Sequence, residues 1–295
     1  MGSALEAHGY GKRYRRRTWA LRRVEMAVPE GTITALVGPN GSGKSTLIRS
    51  WIGFERPTEG SLVTGGVDPA RHPKAAVARV GYVPQTPSLY SSLSVADHIT
   101  LAGTLRRGFD GRLAASYVER LSIPLTAMAG ELSGGEQAQV GLALALGTQA
   151  RILLLDEPLA SLDPLARREF LHVLVDAVRS GGHTALLSSH VITDIEQACD
   201  RLVVLGRGHT LLDVSIAEAL AHHRILEDER DPAAAHEQAV GSFPSPEGNR
   251  LTLIRVPAVE PLPTEGRPAT LEEVVIGHLA AGRVRHALAV AEEAA

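Results

Sequence analysis

Thr32-Ile33-Thr34-Ala35-Leu36-Val37-Gly38-Pro39-Asn40-Gly41-Ser42-Gly43-Lys44-Ser45-Thr46-Leu47-Ile48-Arg49-Ser50-Trp51-Ile52 is the stretch on which the fold turns. Thr32 to Val37 is an unbroken run of β-branched and apolar residues, as expected of a strand buried on both faces. Lys44 to Ile52 takes helical spacing and stops near Gly53 and Pro57. Between them Gly38, Pro39, Asn40, Gly41, Ser42, Gly43, Lys44 and Ser45 fit G-x-x-x-x-G-K-[ST], with Thr46 next. The glycines let backbone N–H groups converge on phosphate oxygens without Cβ clashes, and the helix N-terminus adds partial positive charge. This spacing predicts that Lys44 reaches the β- and γ-phosphates of a nucleotide and that Ser45 ligates Mg²⁺.

Working outward, Ala20–Leu21 and Val24–Val28 predict further strand before the turn signal Pro29-Glu30-Gly31. Downstream, apolar runs return at Arg151 to Leu155, Thr184 to Leu187 and Leu202 to Leu205, with a helix predicted at Pro164 to Ser180. Strands alternating with helices imply a mostly parallel sheet covered on both faces. From Leu93 to Leu125 amphipathic segments predict a helical insert. The run Ile152 to Leu155 ends in Asp156-Glu157, so two carboxylates stand at the tip of a buried strand. Asp156 is placed to support the magnesium shell, and Glu157 to polarise an attacking water.

Leu132-Ser133-Gly134-Gly135-Glu136-Gln137 reads first as a permissive turn opening a helix, a second N-terminal anion site. Combined with the loop at Gly38 to Ser45, it resembles the signature of the ATP-binding cassette (ABC) ATPases over roughly Leu5 to Ala219. The resemblance implies the P-loop NTPase core of that family, with an N-terminal antiparallel β part and a helical subdomain inserted at about 88–145. It also implies that Ser133, Gly134, Gly135 and Glu136 bind the γ-phosphate of an ATP held by the opposite subunit. Gln85, after Gly81-Tyr82-Val83-Pro84, is similar to the Q-loop glutamine that senses magnesium and attacking water. Asp163 in Ser161-Leu162-Asp163 resembles the D-loop, and His190 the switch histidine. Tyr14 is the residue expected to stack on adenine, with Tyr10 and Trp19 as competitors. Where the family commonly has arginines after the signature, this chain has Gln139 and Leu144.

The implied molecule is an ATPase subunit with ATP and Mg²⁺ as cofactors. It dimerises with itself or a related subunit and works with an integral membrane permease at the inner face of the cell membrane. Leu187 to His190, Asp200 to Leu202 and Thr270 to Val275 resemble bacterial ABC-2 type exporter subunits, so export is the expected direction. The alternatives are a DNA-repair or chromosome-maintenance ABC ATPase and a nonhydrolytic, nucleotide-gated scaffold. Long coiled-coil types separate loop and signature far more widely than Thr46 and Leu132, and the zinc-rich repair type needs many cysteines.

Composition narrows the alternatives. The chain has 295 residues, with 30 Lys+Arg against 33 Asp+Glu and a formal charge of −3, so no nucleic-acid partner is expected. Cys199 is the sole cysteine, which rules out an internal disulfide or a multi-cysteine zinc site and fits a reducing compartment. Neither a signal peptide at Met1 to Ala20 nor a bilayer-spanning run is expected. Lys12, Arg13, Arg15, Arg16 and Arg17 read as a solvated edge, and His222, His223 and His236 as exposed histidines rather than metal ligands. Residues 221–295 shift in composition and predict a small α+β appendage, regulatory or dimer-supporting. Its strand is expected at Arg250 to Val256, and its helix behind the capping box Thr270/Glu273.

Overall fold

The computed structural model describes residues 2–14, 18–86, 88–227, 238–256 and 266–294, with side chains of the last helix described to residue 284. Arg15 to Arg17 and His236 lie outside the described residues. The chain opens with β1 (Ser3–Tyr14) and β2 (Thr18–Pro29), an antiparallel pair. Next come β3 (Ile33–Val37), the phosphate loop and α1 (Lys44–Ile52). β4 (Glu59–Thr64) returns to pair with β1. Short α2 (Pro73–Val77) leads into β5 (Val80–Val83). A helical insert follows, made of α3 (Val95–Leu105), α4 (Gly111–Arg120) and α5 (Gly134–Gly147). The chain then alternates through β6 (Ile152–Leu155), α6 (Pro164–Gly181), β7 (Thr184–Ser188), α7 (Ile192–Ala198) and β8 (Arg201–Gly206). β9 (His209–Ser215) turns back antiparallel on β8.

The central sheet has the order β5-β6-β7-β3-β8-β9, parallel except at the β9 edge. Its inner strands β3, β6, β7 and β8 are largely apolar because alternate residues enter different cores. Leu153 and Leu155 of β6 face the cluster under α5 and α6, whereas Ile152 and Leu154 face the cluster shared with α1 and the N-terminal sheet. β8 does the same, with Val203 and Leu205 on one side and Leu202 and Val204 on the other. Each such fully buried Leu or Val contributes roughly 1.5–3 kcal/mol. Every parallel strand ends at one edge of the sheet, so the loops after β3, β5, β6 and β7 converge there.

The insert is held to the sheet by a specific contact. Arg106, just past α3, donates to the carbonyls of Ala78 (2.8 Å), Val80 (3.0 Å) and Val77 (3.3 Å), tying the insert to the segment from α2 into β5. Ser94 with Asp97, and Ser133 with Glu136, form capping boxes that set where α3 and α5 begin.

The C-terminal part comprises α8 (Ile216–Ala221), β10 (His223–Glu227), β11 (Ala239–Pro244), β12 (Arg250–Arg255), β13 (Arg267–Pro268) and α9 (Leu271–Ala294). The four strands form an antiparallel sheet in the order β11-β12-β10-β13. Leu253, Leu271, Val274 and Val275 join Ala35, Val37, Leu202 and Val204 in one apolar cluster, so this part shares a core with the edge of the central sheet. The expectation for His223 fails for the same reason: it is 2% exposed and its Nε2 lies 3.2 Å from Nε2 of buried His278 on α9. Burial and neighbouring cations hold the His223 imidazole below its ordinary value, although its hydrogen bond to the Ala219 carbonyl opposes this.

Candidate functional site

At the converging edge of the sheet is a cleft of about 760 Å³. It is lined by Gly38 to Gly41, Gly43 to Thr46, Gln85, Glu157 and His190, with Thr18, Trp19 and Ala20 of β2 on one wall. The loop takes its shape from two glycines in particular. Gly43 has φ of +106°, open to glycine but strained for other residues, and Gly38 lies so close to the Leu205 carbonyl that a Cβ would collide with it. Ser42 lies within the loop, and its buried hydroxyl has no partner.

Lys44 is 5% exposed and points back across the loop. Its ammonium donates to the Gly38 carbonyl (2.7 Å) and the Pro39 carbonyl (3.4 Å), and stands 3.1 Å from Oε1 of Glu157. The other oxygen of Glu157 lies 3.5 Å from Nδ1 of His190. Glu157 has φ of +46°, a sparsely occupied conformation for a non-glycine residue. Its backbone N–H donates to Ser188 Oγ at 2.7 Å, which holds the turn in place.

Asp156 is fully buried, and burial raises its carboxyl above the usual range against the opposing pull of its Ser45 and Ser188 hydrogen bonds and Arg49. One oxygen accepts from Ser45 Oγ (3.0 Å) and Ser188 Oγ (3.2 Å), while Oδ2 is buried with no partner. An orphaned carboxylate oxygen beside a serine hydroxyl and a phosphate loop is the hard-oxygen set that suits Mg²⁺. Ser45 and Asp156 would hold the ion, with Gln85 on the same cleft; bound there, Mg²⁺ supplies charge neutralisation for phosphate oxygens.

The remaining expected residues fall elsewhere. Ser133 caps α5: its Oγ accepts from the Glu136 N–H (3.2 Å), and Glu136 Oε2 accepts from the Ser133 N–H (2.8 Å). The carboxylate of Glu136 is thus engaged in the cap. Asp163 is likewise engaged, capping α6 by accepting from the N–H groups of Leu165 (2.9 Å) and Ala166 (3.0 Å). Gly134 and Gly135 pack against Ser161 and Leu162, and none of the signature residues lines the Lys44 cleft. Gln139 is buried and donates to the Ala166 carbonyl at 3.4 Å, tying α5 to the start of α6.

Tyr14 does not line the cleft either. Its phenol bonds toward Glu55 and Thr46, and Lys12 sits over its ring. Trp19 lines the wall instead, with the guanidinium of Arg13 5.1 Å from its ring centroid. Sequence reasoning also missed Ser188, whose hydroxyl accepts from the Glu157 backbone N–H and donates to the Asp156 carboxylate; its signal was a hydroxyl following the apolar run Ala185 to Leu187 at the end of a strand. Cys199 packs between two apolar clusters, and burial pushes its thiol up to about 12, which makes it a poor nucleophile.

Base stacking on an aromatic is worth roughly 1–3 kcal/mol, so Trp19→Ala is expected to weaken Mg-ATP binding about tenfold. The only other tryptophan, Trp51, is fully buried, so a change in fluorescence on titrating ATP reports Trp19. A larger loss in Tyr14→Ala than in Trp19→Ala would return the stacking role to Tyr14.

A parallel sheet with a phosphate loop after its central strand, a carboxylate pair after the next but one and a histidine beyond defines a P-loop nucleotide-binding domain. Residues 21–160 match the family described as ABC transporter. The chain is 34% identical to methionine import ATP-binding protein MetN 1 of Burkholderia lata, over 70% of this chain and 63% of that protein. It is also 34% identical to the manganese transport system ATP-binding protein MntA of a Synechocystis species, over 69% of this chain and 81% of that one. A solved ATP-binding subunit of an ABC transporter superposes with a TM-score of 0.67 at 27% identity, covering 74% of this chain and 92% of the other. The chain belongs to the ABC transporter family of ATP-binding proteins. It spans 63% of the length of the methionine import relative.

Proposed function

We propose that this chain hydrolyses ATP as the nucleotide-binding subunit of a membrane transporter. The observation that carries this reading is the Lys44–Glu157 contact at 3.1 Å inside the phosphate-loop cleft, beside the unpartnered oxygen of Asp156. A triphosphate entering the cleft competes for the Lys44 ammonium, and Glu157 is released to face a water. The water oxygen then bonds to the γ-phosphorus while the bond to the β-phosphate oxygen breaks. Glu157 accepts the proton, and ADP leaves with the electron pair. His190, 3.5 Å from Glu157, holds the γ-phosphate. The turn at Ser133 to Gly135 lies outside the cleft, and the resemblance of its sequence to the family signature implies that a second copy or related subunit supplies it, with closure dependent on ATP.

No helix among the described residues is long and apolar enough to cross a membrane. MntA is the ATP-binding protein of a transport system, and on that likeness the work on cargo here passes through a separate permease at the inner face of the membrane. A groove of about 320 Å³ between the sheet and the insert suits the permease's cytoplasmic helices. Phe54 (66% exposed) and Leu105 (78% exposed) line it. Leu144 lines it too, so the residue where the family commonly has arginine makes this wall more apolar. On direction, the expectation of export gains no support from the methionine relative, whose printed function is import, and import is the better-supported reading.

The test is purification from membranes. The chain is expected to bring down one integral membrane protein, and Leu105→Asp is expected to release it while leaving Mg-ATP binding within twofold. A chain that copurifies with no integral protein, before or after the substitution, overturns the transporter assignment.

A further inference from the structure

Arg167 on α6 and Asp194 on α7 stand between the loop that follows Glu157 and the segment that carries His190. The Arg167 guanidinium lies 3.4 Å from the Leu159 carbonyl and 3.5 Å from the Leu162 carbonyl, which places it behind the loop running from Glu157 to Asp163. Its Nε faces Oδ2 of Asp194 at 3.7 Å. Both of these atoms are buried, and neither has a hydrogen-bond partner. Burial raises the Asp194 carboxyl, while the charges of Arg167 and His190 pull it back down, so Asp194 senses both groups.

This geometry is costly as it stands. The facing atoms, Nε and Oδ2, have left water, but they stop about half an ångström beyond good hydrogen-bond range, so their desolvation is only partly offset. A small approach of α6 and α7 completes the bond. α6 begins at Asp163, whose loop carries Ser161 and Leu162 against the signature turn, and α7 begins two residues after His190. The two helices therefore join the loop a second subunit would press on to the histidine beside Glu157.

We propose that Arg167 and Asp194 are positioning residues for hydrolysis: the ion pair closes when a second subunit seats against Ser161 to Asp163, and closure sets His190 and Glu157 in register. This rests on the ATPase reading given above. Neither residue lines the cleft, so nucleotide binding to the single chain is independent of the pair.

Single-turnover hydrolysis in Mg-ATP, measured alongside Mg-ATP affinity of the single chain, tests the proposal. Asp194→Asn and Arg167→Gln are each expected to slow hydrolysis at least fivefold with affinity within twofold. The double variant is expected to be no slower than the slower single variant, because one interaction is lost in all three. Arg167→Lys, which keeps the charge, is expected to recover part of the rate. Unchanged hydrolysis in both single variants, losses that multiply in the double, or loss of affinity in step with rate overturns the proposal. A wild-type chain that releases no phosphate sinks the ATPase reading itself and this inference with it.

Discussion

Glu157→Gln is expected to lower ATP turnover by about two to four orders of magnitude, or roughly 3–5 kcal/mol of transition-state stabilisation, while ATP still binds. Gln keeps the shape of the side chain, and its carbonyl still accepts from Lys44. What it loses is the ability to take a proton. Lys44 retains its Gly38 and Pro39 carbonyl partners, so the loop keeps its conformation, and the ammonium gives up a weaker competitor when phosphate arrives. Binding is therefore expected to hold or tighten. With hydrolysis blocked, the ATP that joins two subunits persists, and the protein is expected to elute as a dimer in Mg-ATP and as a monomer without it. Phosphate release and size-exclusion chromatography read the two effects separately. Turnover within tenfold of wild type would remove Glu157 from the base role.

The same residues show why part of the site was legible in the sequence and part was not. Ile152 to Leu155 announces a central strand because both its faces are buried, so all four residues are apolar. The phosphate loop is legible because its glycines answer a local demand for backbone conformation, as at Gly43. β1 was missed because its inward residues are small or spaced, with Leu5, Ala7 and Tyr10 buried among Glu6, His8 and Gly9, and its partners β2 and β4 are decided by non-local pairing. β13, two residues long, carries no pattern at all. Spacing along the chain favours Tyr14 over Trp19, but β1 and β2 are paired across bulges. Those bulges leave Trp19 on the cleft wall and Tyr14 over α1. His223 looks solvated in a polar neighbourhood of sequence, and only the packing of α9 onto β10 and β12 reveals that it is buried. Local demands show in sequence; choices made by a distant partner do not.

Mixing two individually inactive variants is expected to restore hydrolysis, and this is the sharpest consequence of the signature turn lying outside the Lys44 cleft. Lys44→Met removes the ammonium that bonds phosphate and is expected to weaken Mg-ATP binding about a hundredfold, since charge-assisted hydrogen bonds of this kind contribute roughly 1.5–3 kcal/mol each. Gly134→Asp acts at the other site. A Cβ at Gly134 meets the Ser161 side chain at 3.4 Å, an ordinary contact, and a carboxylate in the first turn of α5 suits the helix dipole. The fold of Gly134→Asp is therefore expected to stand, while its carboxylate repels the γ-phosphate presented by the opposite subunit. Each variant alone is expected to be inactive, because every site in its homodimer lacks one half. In a mixed dimer, one site joins two damaged halves and the other joins the intact phosphate loop of Gly134→Asp to the intact signature of Lys44→Met. Half the dimers in an equal mixture are mixed, so up to about a quarter of wild-type turnover is expected if the sites act independently. The restored activity must depend on the second power of protein concentration when dilute. A mixture as inert as its components would mean that loop and signature do not meet across two chains, and that the turn at Ser133 to Gly135 is no more than the cap of α5.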